Sequence, residues 1–136
     1  MELQVGVKAV ISNKEGKYLL LRRSRGEARG VWDIAGGRID PGVPLRENLI
    51  REIKEETGLD FDGGEKIIAA QDIFPSNGDR HIVRITYAIE MDGTPVLNPE
   101  EHDEFRWVSF SELKSLPGLD AYLKELIDSG AFKESA

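Results

Sequence analysis

Residues 36–59 constrain this chain more than any other segment, because a pair of glycines there is followed by a helix rich in glutamate. The helical pattern covers residues 45–57 and carries Glu52, Glu55 and Glu56. Positions i, i+3 and i+4 are neighbours on a helix surface, so the three carboxylates share one side. Like charges at that spacing repel each other. A divalent cation gives a reason to cluster them, because Mg²⁺ is bound by carboxylate oxygens.

The carboxylates border the apolar stripe of this helix, which contains Leu49, Ile50 and Ile53. This position predicts a cleft where the helix meets a sheet, and it raises the cost of unpaired charge. The adjacent glycines permit close approach of the backbone to a ligand. The alternative interpretation is a solvated acidic face. Pairing of Arg51 with a glutamate one turn away, and the charge of Lys54, would reduce the repulsion between its carboxylates.

Length and composition indicate a single globular domain over residues 1–136. The formal net charge of −7 argues against a nucleic acid polymer as partner, because such binding needs many Lys and Arg contacts to phosphates. No apolar run has the length of a membrane span, and the first residues lack the pattern of a secretory signal. With no cysteine in the chain, we expect a cytoplasmic protein by elimination.

The order of predicted elements indicates an α+β fold in which a mixed β-sheet is packed between helices, an α-β-α sandwich. Strands are predicted at residues 4–11, 17–22, 31–35, 66–74, 81–90 and 105–109. The first two form a hairpin through a turn at residues 12–16, and a second turn is predicted at residues 75–79. Helices are predicted at residues 45–57 and 119–129, and residues 133–136 are expected to fray.

The glycine-to-helix segment resembles the signature of the Nudix hydrolases, G-x5-E-x7-R-E-U-x-E-E-x-G-U, in which U is a bulky aliphatic residue. One fixed position departs from the signature, since Val43 stands where the family has its first glutamate. The matching positions are Gly37, Arg51, Glu52, Ile53, Glu55, Glu56, Gly58 and Leu59. The residues at 32–37 also look like Nudix features, and the stretch at 79–82 is similar to the mutator-type (MutT-like) members, which act on oxidised nucleoside triphosphates.

The resemblance implies an enzyme that cleaves the diphosphate of a nucleoside diphosphate linked to another group. It implies Mg²⁺ or Mn²⁺ as cofactor, which would neutralise phosphate charge and lower the pKa of a bound water. The implied metal ligands are the Gly36 carbonyl, Glu52, Glu55, Glu56 and Glu101, with Glu104 as second choice for the last. One carboxylate would act as general base, Glu52 first and Glu101 as its rival.

Arg51 belongs to the signature and is assigned to the catalytic set by resemblance, although the helical wheel directs it away from the carboxylates. In the family it pairs with the first glutamate, which Val43 removes here. We therefore expect Arg51 to pair with Glu47 or Glu55, or to bind loop carbonyls, and we expect activity to survive.

Residues that are candidates for substrate binding lie outside the helix: Arg22, Arg23, Trp32, Gly37, Phe74, Arg80 and His81. An arginine pair ending a strand could bind phosphate or could be ordinary edge-strand charge. The aromatic side chains could stack on a base, although core packing is the more common role. His81 is expected to be a hydrogen-bonding residue, and His102 is expected to be a solvated loop residue with a raised pKa.

The first hypothesis for function is a MutT-like nucleoside triphosphate pyrophosphatase. An ADP-ribose or nucleotide-sugar pyrophosphatase is its close alternative. The second hypothesis is a catalytically silent module of the same fold that binds a nucleotide or a protein, for which Val43 is the supporting residue. The expected partner is a small-molecule nucleotide, with no nucleic acid polymer and no membrane, and assembly as a homodimer is left open.

Overall fold

The structure is a computed structural model that describes residues 1–76 and 78–132. Within these residues, the strands and helices follow one another in the order that the sequence predicts, with additional short elements. The strands are β1 (Glu2–Ser12), β2 (Tyr18–Arg23), β3 (Trp32–Asp33), β4 (Ala35–Arg38), β5 (Lys66–Ile73), β6 (Arg80–Glu90) and β7 (His102–Val108). The helices are α1 (Leu45–Thr57), α2 (Phe110–Ser115) and α3 (Ala121–Ser129).

All of these strands belong to one mixed sheet, whose main path runs in the order β3-β2-β1-β6-β5. β1 pairs with β6 in parallel along its length, and the other pairings are antiparallel. On its other edge, β1 pairs with β4 over residues 6–9 and meets β2 only where Ser12 lies opposite Tyr18. The sheet is therefore split between β1 and β2, and β4 lies at the split.

Alternating side chains of the central strands build two hydrophobic clusters, one on each face of the sheet. Val7 and Leu21 lie in the cluster that also contains Leu49 of α1. Val10 and Leu20 lie in the cluster with side chains of α2 and α3. A period of two along each strand divides neighbouring residues between the faces. This arrangement confirms the predicted mixed sheet between helices.

Helix α1 has the bounds that the sequence predicts. Pro44 precedes its first turn, and Gly58 ends it with a φ of 71°, a left-handed conformation that suits glycine. Helix α3 begins at Ala121 rather than at residue 119, because the Asp120 side chain accepts hydrogen bonds from the first backbone amides of the helix.

Three elements differ from the prediction. The single strand predicted at residues 31–35 is two strands, and the second of them continues through the glycine pair. β7 begins at His102, before the predicted residue 105, because it pairs with β2 as far as Arg23. Helix α2 was not predicted, although Ser109 and Glu112 form a capping box at its start.

Two predictions fall on residues outside the described ranges: the turn at residues 75–79 includes Asn77, and the fraying end comprises residues 133–136. In the part of the chain that is described, no helix has both the length and the apolar character needed to cross a membrane.

Candidate active site

The glycine pair lets the backbone of β4 approach α1 closely. A Cβ atom on Gly37 would lie 2.7 Å from both carboxylate oxygens of Glu52. Gly36 has a φ of 148°, and a Cβ atom there would overlap the backbone of β1 at Val7 and Lys8. A side chain at Gly37 would displace the Glu52 carboxylate, and a side chain at Gly36 would separate β4 from β1. The two glycines therefore fix where the helix carboxylates lie.

Glu56 is the most strongly perturbed carboxyl group of this site. Its side chain is buried, and Oε1 accepts a hydrogen bond of 2.9 Å from the backbone N–H of Gly36. Burial raises the pKa of Glu56 to about 7, although Lys8 and the Gly36 hydrogen bond act in the opposite direction. Burial also raises the pKa of Glu52, an effect that Arg51 opposes. Both carboxylates thus lack enough positive charge around them.

Glu56 meets two residues from the start of β7. Each of Glu56, Glu101 and His102 offers one carboxylate oxygen or ring nitrogen, and these atoms lie within 4.8 Å of one another. The backbone N–H of Ser24 donates to the carbonyl of Glu101 at 2.9 Å, which ties this loop to the end of β2. The structure thus brings Glu101, predicted from its distance to a later tryptophan, to the helix carboxylates.

The expectation for His102 is wrong. His102 is a buried strand residue, 4% exposed, and lies opposite Arg23 in the β2–β7 ladder. Burial, together with the Arg23 cation, lowers the pKa of His102 below its usual value. The acidic residues around it in the sequence suggested a solvated loop, but strand pairing directs its side chain into the protein.

Arg51 reaches the carboxylates, contrary to the direction given by the helical wheel. Its guanidinium lies 3.0 Å from Glu52 and 3.5 Å from Glu55, distances that its long side chain can span from a neighbouring position on the helix. It also lies 3.4 Å from the Asp40 carboxylate and donates to the Arg38 carbonyl at 3.3 Å. The expected contact to Glu55 is therefore present, and the carbonyl that Arg51 contacts belongs to the last residue of β4 rather than to the loop.

Asn48 holds the loop that contains Val43. Its buried side chain donates to the carbonyls of Val43 and Pro44 and accepts from the N–H of Asp40, each at 2.9 Å. Together with the Arg51 contacts, these bonds connect both ends of the loop to α1 without the glutamate that Val43 replaces. Sequence analysis did not identify Asn48.

A buried ion network lies beside the glycine pair. The Asp33 carboxylate accepts from Lys8 Nζ at 3.1 Å and from an Arg23 guanidinium nitrogen at 2.9 Å. Burial opposes ionisation of Asp33, but the cations Lys8, Arg23 and Arg84 hold the pKa of this carboxyl below its usual value. Lys8 and Asp33 were not predicted as site residues. A lysine within the apolar strand sequence QVGVKAVI was the available signal.

Arg23 lies between two cavities. One, of about 330 Å³, is lined by Glu56, Glu101 and His102. The other, of about 210 Å³, is lined by Lys8, Arg84 and the backbone of residues 36–38. Arg23 contributes to the walls of both. Cation and carboxylate side chains thus converge on adjoining spaces at the split in the sheet.

The other candidate substrate residues are more dispersed. Arg22 pairs with Asp103 and Glu104 and lies over the ring of Trp32, which is buried in the cluster of α2 and α3. The exposed Phe74 stacks on His81, and His81 is 2.7 Å from Asp72. Arg80 begins β6, next to His81. Of the predicted substrate residues, Arg23 and Gly37 are the ones placed at the cavities beside α1.

Comparison with known proteins identifies relatives over nearly the whole chain. The NUDIX domain model matches residues 2–129. The CTP pyrophosphohydrolase of Escherichia coli (strain K12) is 30% identical over 114 residues, which cover 83% of this chain and 82% of that protein. The ADP-ribose pyrophosphatase of Methanocaldococcus jannaschii is 29% identical over 80% of this chain and 62% of its own length.

Solved structures with the same fold also match nearly the whole chain. The MutT Nudix hydrolase of Burkholderia pseudomallei has a TM-score of 0.83 at 25% identity, covering 96% of this chain and 99% of that one. The MutT protein of Methanosarcina mazei Go1 also has a TM-score of 0.83, at 29% identity, covering 94% of this chain and 92% of that one.

Replacing Asp33 by Asn should destabilise the protein strongly, because Lys8 and Arg23 would lose the charge that they share. Breaking one side of a buried ion pair costs about 3–5 kcal/mol, and Asp33 is 1% exposed. Asp103→Asn is the matched control, since it removes an aspartate–arginine pair at the exposed surface. Urea unfolding measures both; equal losses for the two variants would contradict a structural role for the buried network.

Replacing Glu56 by Gln should remove a pH dependence of stability in metal-free protein. The group ionises near 4.5 when unfolded and near 7 when folded, so the unfolded state loses its proton first as the pH rises. The free energy of unfolding should therefore fall by about 3 kcal/mol as the pH rises between these two values. Outside them, the contribution of Glu56 to this free energy should not change with pH.

Glu56→Gln should lack that decrease, whereas Glu47→Gln, on the exposed face of the same helix, should retain it. Denaturant unfolding at pH 4.5 to 8 in the presence of a chelator measures the slope. A Glu56→Gln protein with the wild-type slope would show that burial of this carboxyl is not its source.

Proposed function

The chain belongs to the Nudix hydrolase family, whose members act on phosphoanhydride bonds, and we propose that it converts nucleoside triphosphates to nucleoside monophosphates and pyrophosphate. The observation that carries the proposal is the convergence of the buried Glu56 with Glu101, beside an arginine that adjoins two cavities. Two adjoining spaces suit a substrate with a phosphate chain at one end and a nucleoside at the other.

Choice among phosphoanhydride substrates rests on the relatives. The CTP pyrophosphohydrolase aligns over most of its own length as well as most of this chain, which supports a triphosphate. An ADP-ribose or nucleotide-sugar substrate is the second candidate, supported by the similarity to an ADP-ribose pyrophosphatase. Both classes contain the same diphosphate group, so the same carboxylates and arginine would serve either one.

The residues at the site suit a divalent cation. Without a cation, Glu56 holds its proton up to a pH of about 7, which is the behaviour of a carboxylate that lacks a positive partner. Glu52, Glu55, Glu56, Glu101 and the Gly36 carbonyl would hold Mg²⁺ or Mn²⁺, hard ions that take oxygen ligands. When bound, such an ion neutralises phosphate charge and lowers the pKa of a coordinated water.

The protein's own side chains would bind and orient the phosphates and accept the proton. Arg23, which Asp33 holds in place at 2.9 Å, would donate to phosphate oxygens. Glu52 would take the proton of the attacking water, with Glu101 as the alternative base. The oxygen of that water would form a new bond to the α-phosphorus. The bond from the α-phosphorus to the oxygen that bridges it to the β-phosphorus would break, and pyrophosphate would leave.

Contacts of Arg51 favour this enzyme over a silent module of the same fold. Val43 supports the hypothesis of a silent module, because it removes the residue that pairs with Arg51 in the family. In the structure, Arg51 contacts the Arg38 carbonyl at the end of β4, Asp40 on the loop that follows, and Glu52 on the helix. The connection between the loop and α1 that the family glutamate would provide is thus made by other residues.

A substrate panel tests the proposal. We expect Mg²⁺-dependent release of pyrophosphate from canonical and oxidised nucleoside triphosphates, with slower turnover of ADP-ribose, measured by chromatography of both products. Glu56→Gln should lower kcat by about 100-fold or more, since several kcal/mol of charge stabilisation depend on the ion. Glu47→Gln should retain full activity. No turnover of any diphosphate compound by folded wild-type protein would favour the silent module.

A further inference from the structure

His102 adds a nitrogen donor to a site whose other candidate ligands are oxygens. One of its ring nitrogens lies within 4.8 Å of carboxylate oxygens of both Glu56 and Glu101. These residues line the same cavity as Arg23. His102 lies outside the family signature, so the signature assigns it no role.

The spacing of the three groups is close to that of ligands around one ion. First-row divalent ions hold nitrogen and oxygen ligands at about 2.0–2.2 Å, so two ligands of one ion lie at most ~4.4 Å apart. Glu56 and His102 are 8% and 4% exposed and are held by packing. The Glu101 side chain is 43% exposed and is paired with the exposed Arg25 at 3.7 Å, a loose surface contact that leaves it room to close the remaining few tenths of an ångström.

The imidazole of His102 also has bonding capacity that the described part of the protein does not use. Its Nδ1 atom is buried and has no hydrogen-bond partner among the described residues. Buried polar nitrogens in native proteins are almost always bonded, so this atom has the capacity to bind an ion, a water or another ligand. This observation is independent of the closeness of the carboxylates.

Backbone pairing holds His102 at this position. It lies opposite Arg23 in the β2–β7 ladder, where the register of the two strands shifts. Its own N–H donates to the Asn98 carbonyl at 2.9 Å. A side chain on a paired strand is positioned more accurately than one on a free loop, which favours ligation.

We propose that His102 is a direct nitrogen ligand of the divalent cation, together with Glu56 and Glu101. This inference rests on the proposed function, because it concerns the same cation site. One imidazole added to the oxygen ligands of this site strengthens binding of later first-row ions such as Co²⁺ and Zn²⁺ more than binding of Mg²⁺, which prefers oxygen ligands. The gain in affinity from His102 should therefore be larger for transition metals than for Mg²⁺.

Electron spin echo envelope modulation spectroscopy, with Mn²⁺ as the only added ion, tests directly whether an imidazole nitrogen is coordinated to the metal. The chain contains two histidines, so a tag-free protein offers a matched pair of variants. We expect nitrogen-14 modulation from imidazole in wild type and in His81→Asn, and its loss in His102→Asn. Absence of the modulation in wild type, or its survival in His102→Asn, would overturn the proposal.

Calorimetric titration tests the metal preference on the same proteins. His102→Asn should weaken Co²⁺ binding by about tenfold or more, whereas Mg²⁺ binding should change by less than about threefold. His102→Gln is the second variant if His102→Asn unfolds, as judged by circular dichroism. Equal weakening of Co²⁺ and Mg²⁺ binding would contradict nitrogen ligation.

Failure of this inference is distinguishable from failure of the proposed function. Mn²⁺ bound by wild type without nitrogen modulation, and lost in Glu56→Gln, would overturn the role of His102 and leave the hydrolase intact. Wild-type protein that binds none of Mn²⁺, Co²⁺ and Mg²⁺, and hydrolyses no nucleotide, would overturn both.

Discussion

The close approach of α1 to the glycine backbone of β4 is the constraint on which the site depends. Because Gly37 has no side chain, Glu52 lies directly against the strand, and Gly36 packs closely on β1 while its N–H donates to Glu56. That packing buries carboxylates which would otherwise be solvated on the surface of a helix. Burial then raises their pKa values, most strongly for Glu56. The apolar stripe of α1 packs against the sheet, while its buried carboxylates have little positive charge around them, and this is the reason for proposing a cation there.

Positive charge is also supplied from the sheet, although the chain as a whole carries a net charge of −7. Lys8 and Arg23 approach the site from β1 and β2 and share the buried Asp33. Asp33 keeps both cations in place inside the protein, where unpaired charge would be costly. The overall acidity therefore gives no indication of the local field at the cavities, which depends on a few buried residues.

The sequence predicted what local periodicity and spacing determine. Helix α1, its C-terminal glycine and the adjacent carboxylates were predicted because a period of 3.6 and a fixed motif act within one segment. The glycine pair was expected to admit a ligand, whereas in the structure it admits the Glu52 side chain and the backbone of β1. Glu101, chosen for its distance to Trp107, lies near Glu56, and its role as a metal ligand stays a prediction. The mixed sheet between helices followed from the order of the elements.

What the sequence did not predict depends on contacts between distant strands. His102 resembles a loop residue in its acidic surroundings, and only the pairing of β7 with β2 shows that it is buried. The Lys8–Asp33–Arg23 network joins three separate strands. Arg51 departs from the helical wheel because a long side chain can bend toward Glu52, a freedom that angular position alone does not describe.

Carbon-13 NMR of the glutamate carboxyl groups tests the central claim that buried α1 carboxylates are completed by a cation. In metal-free protein the Glu56 signal should titrate with a pKa of about 7. With saturating Mg²⁺ that pKa should fall below about 5, because a bound divalent ion stabilises the ionised form. A Glu56 pKa that Mg²⁺ leaves unchanged, with and without nucleotide, would contradict the account.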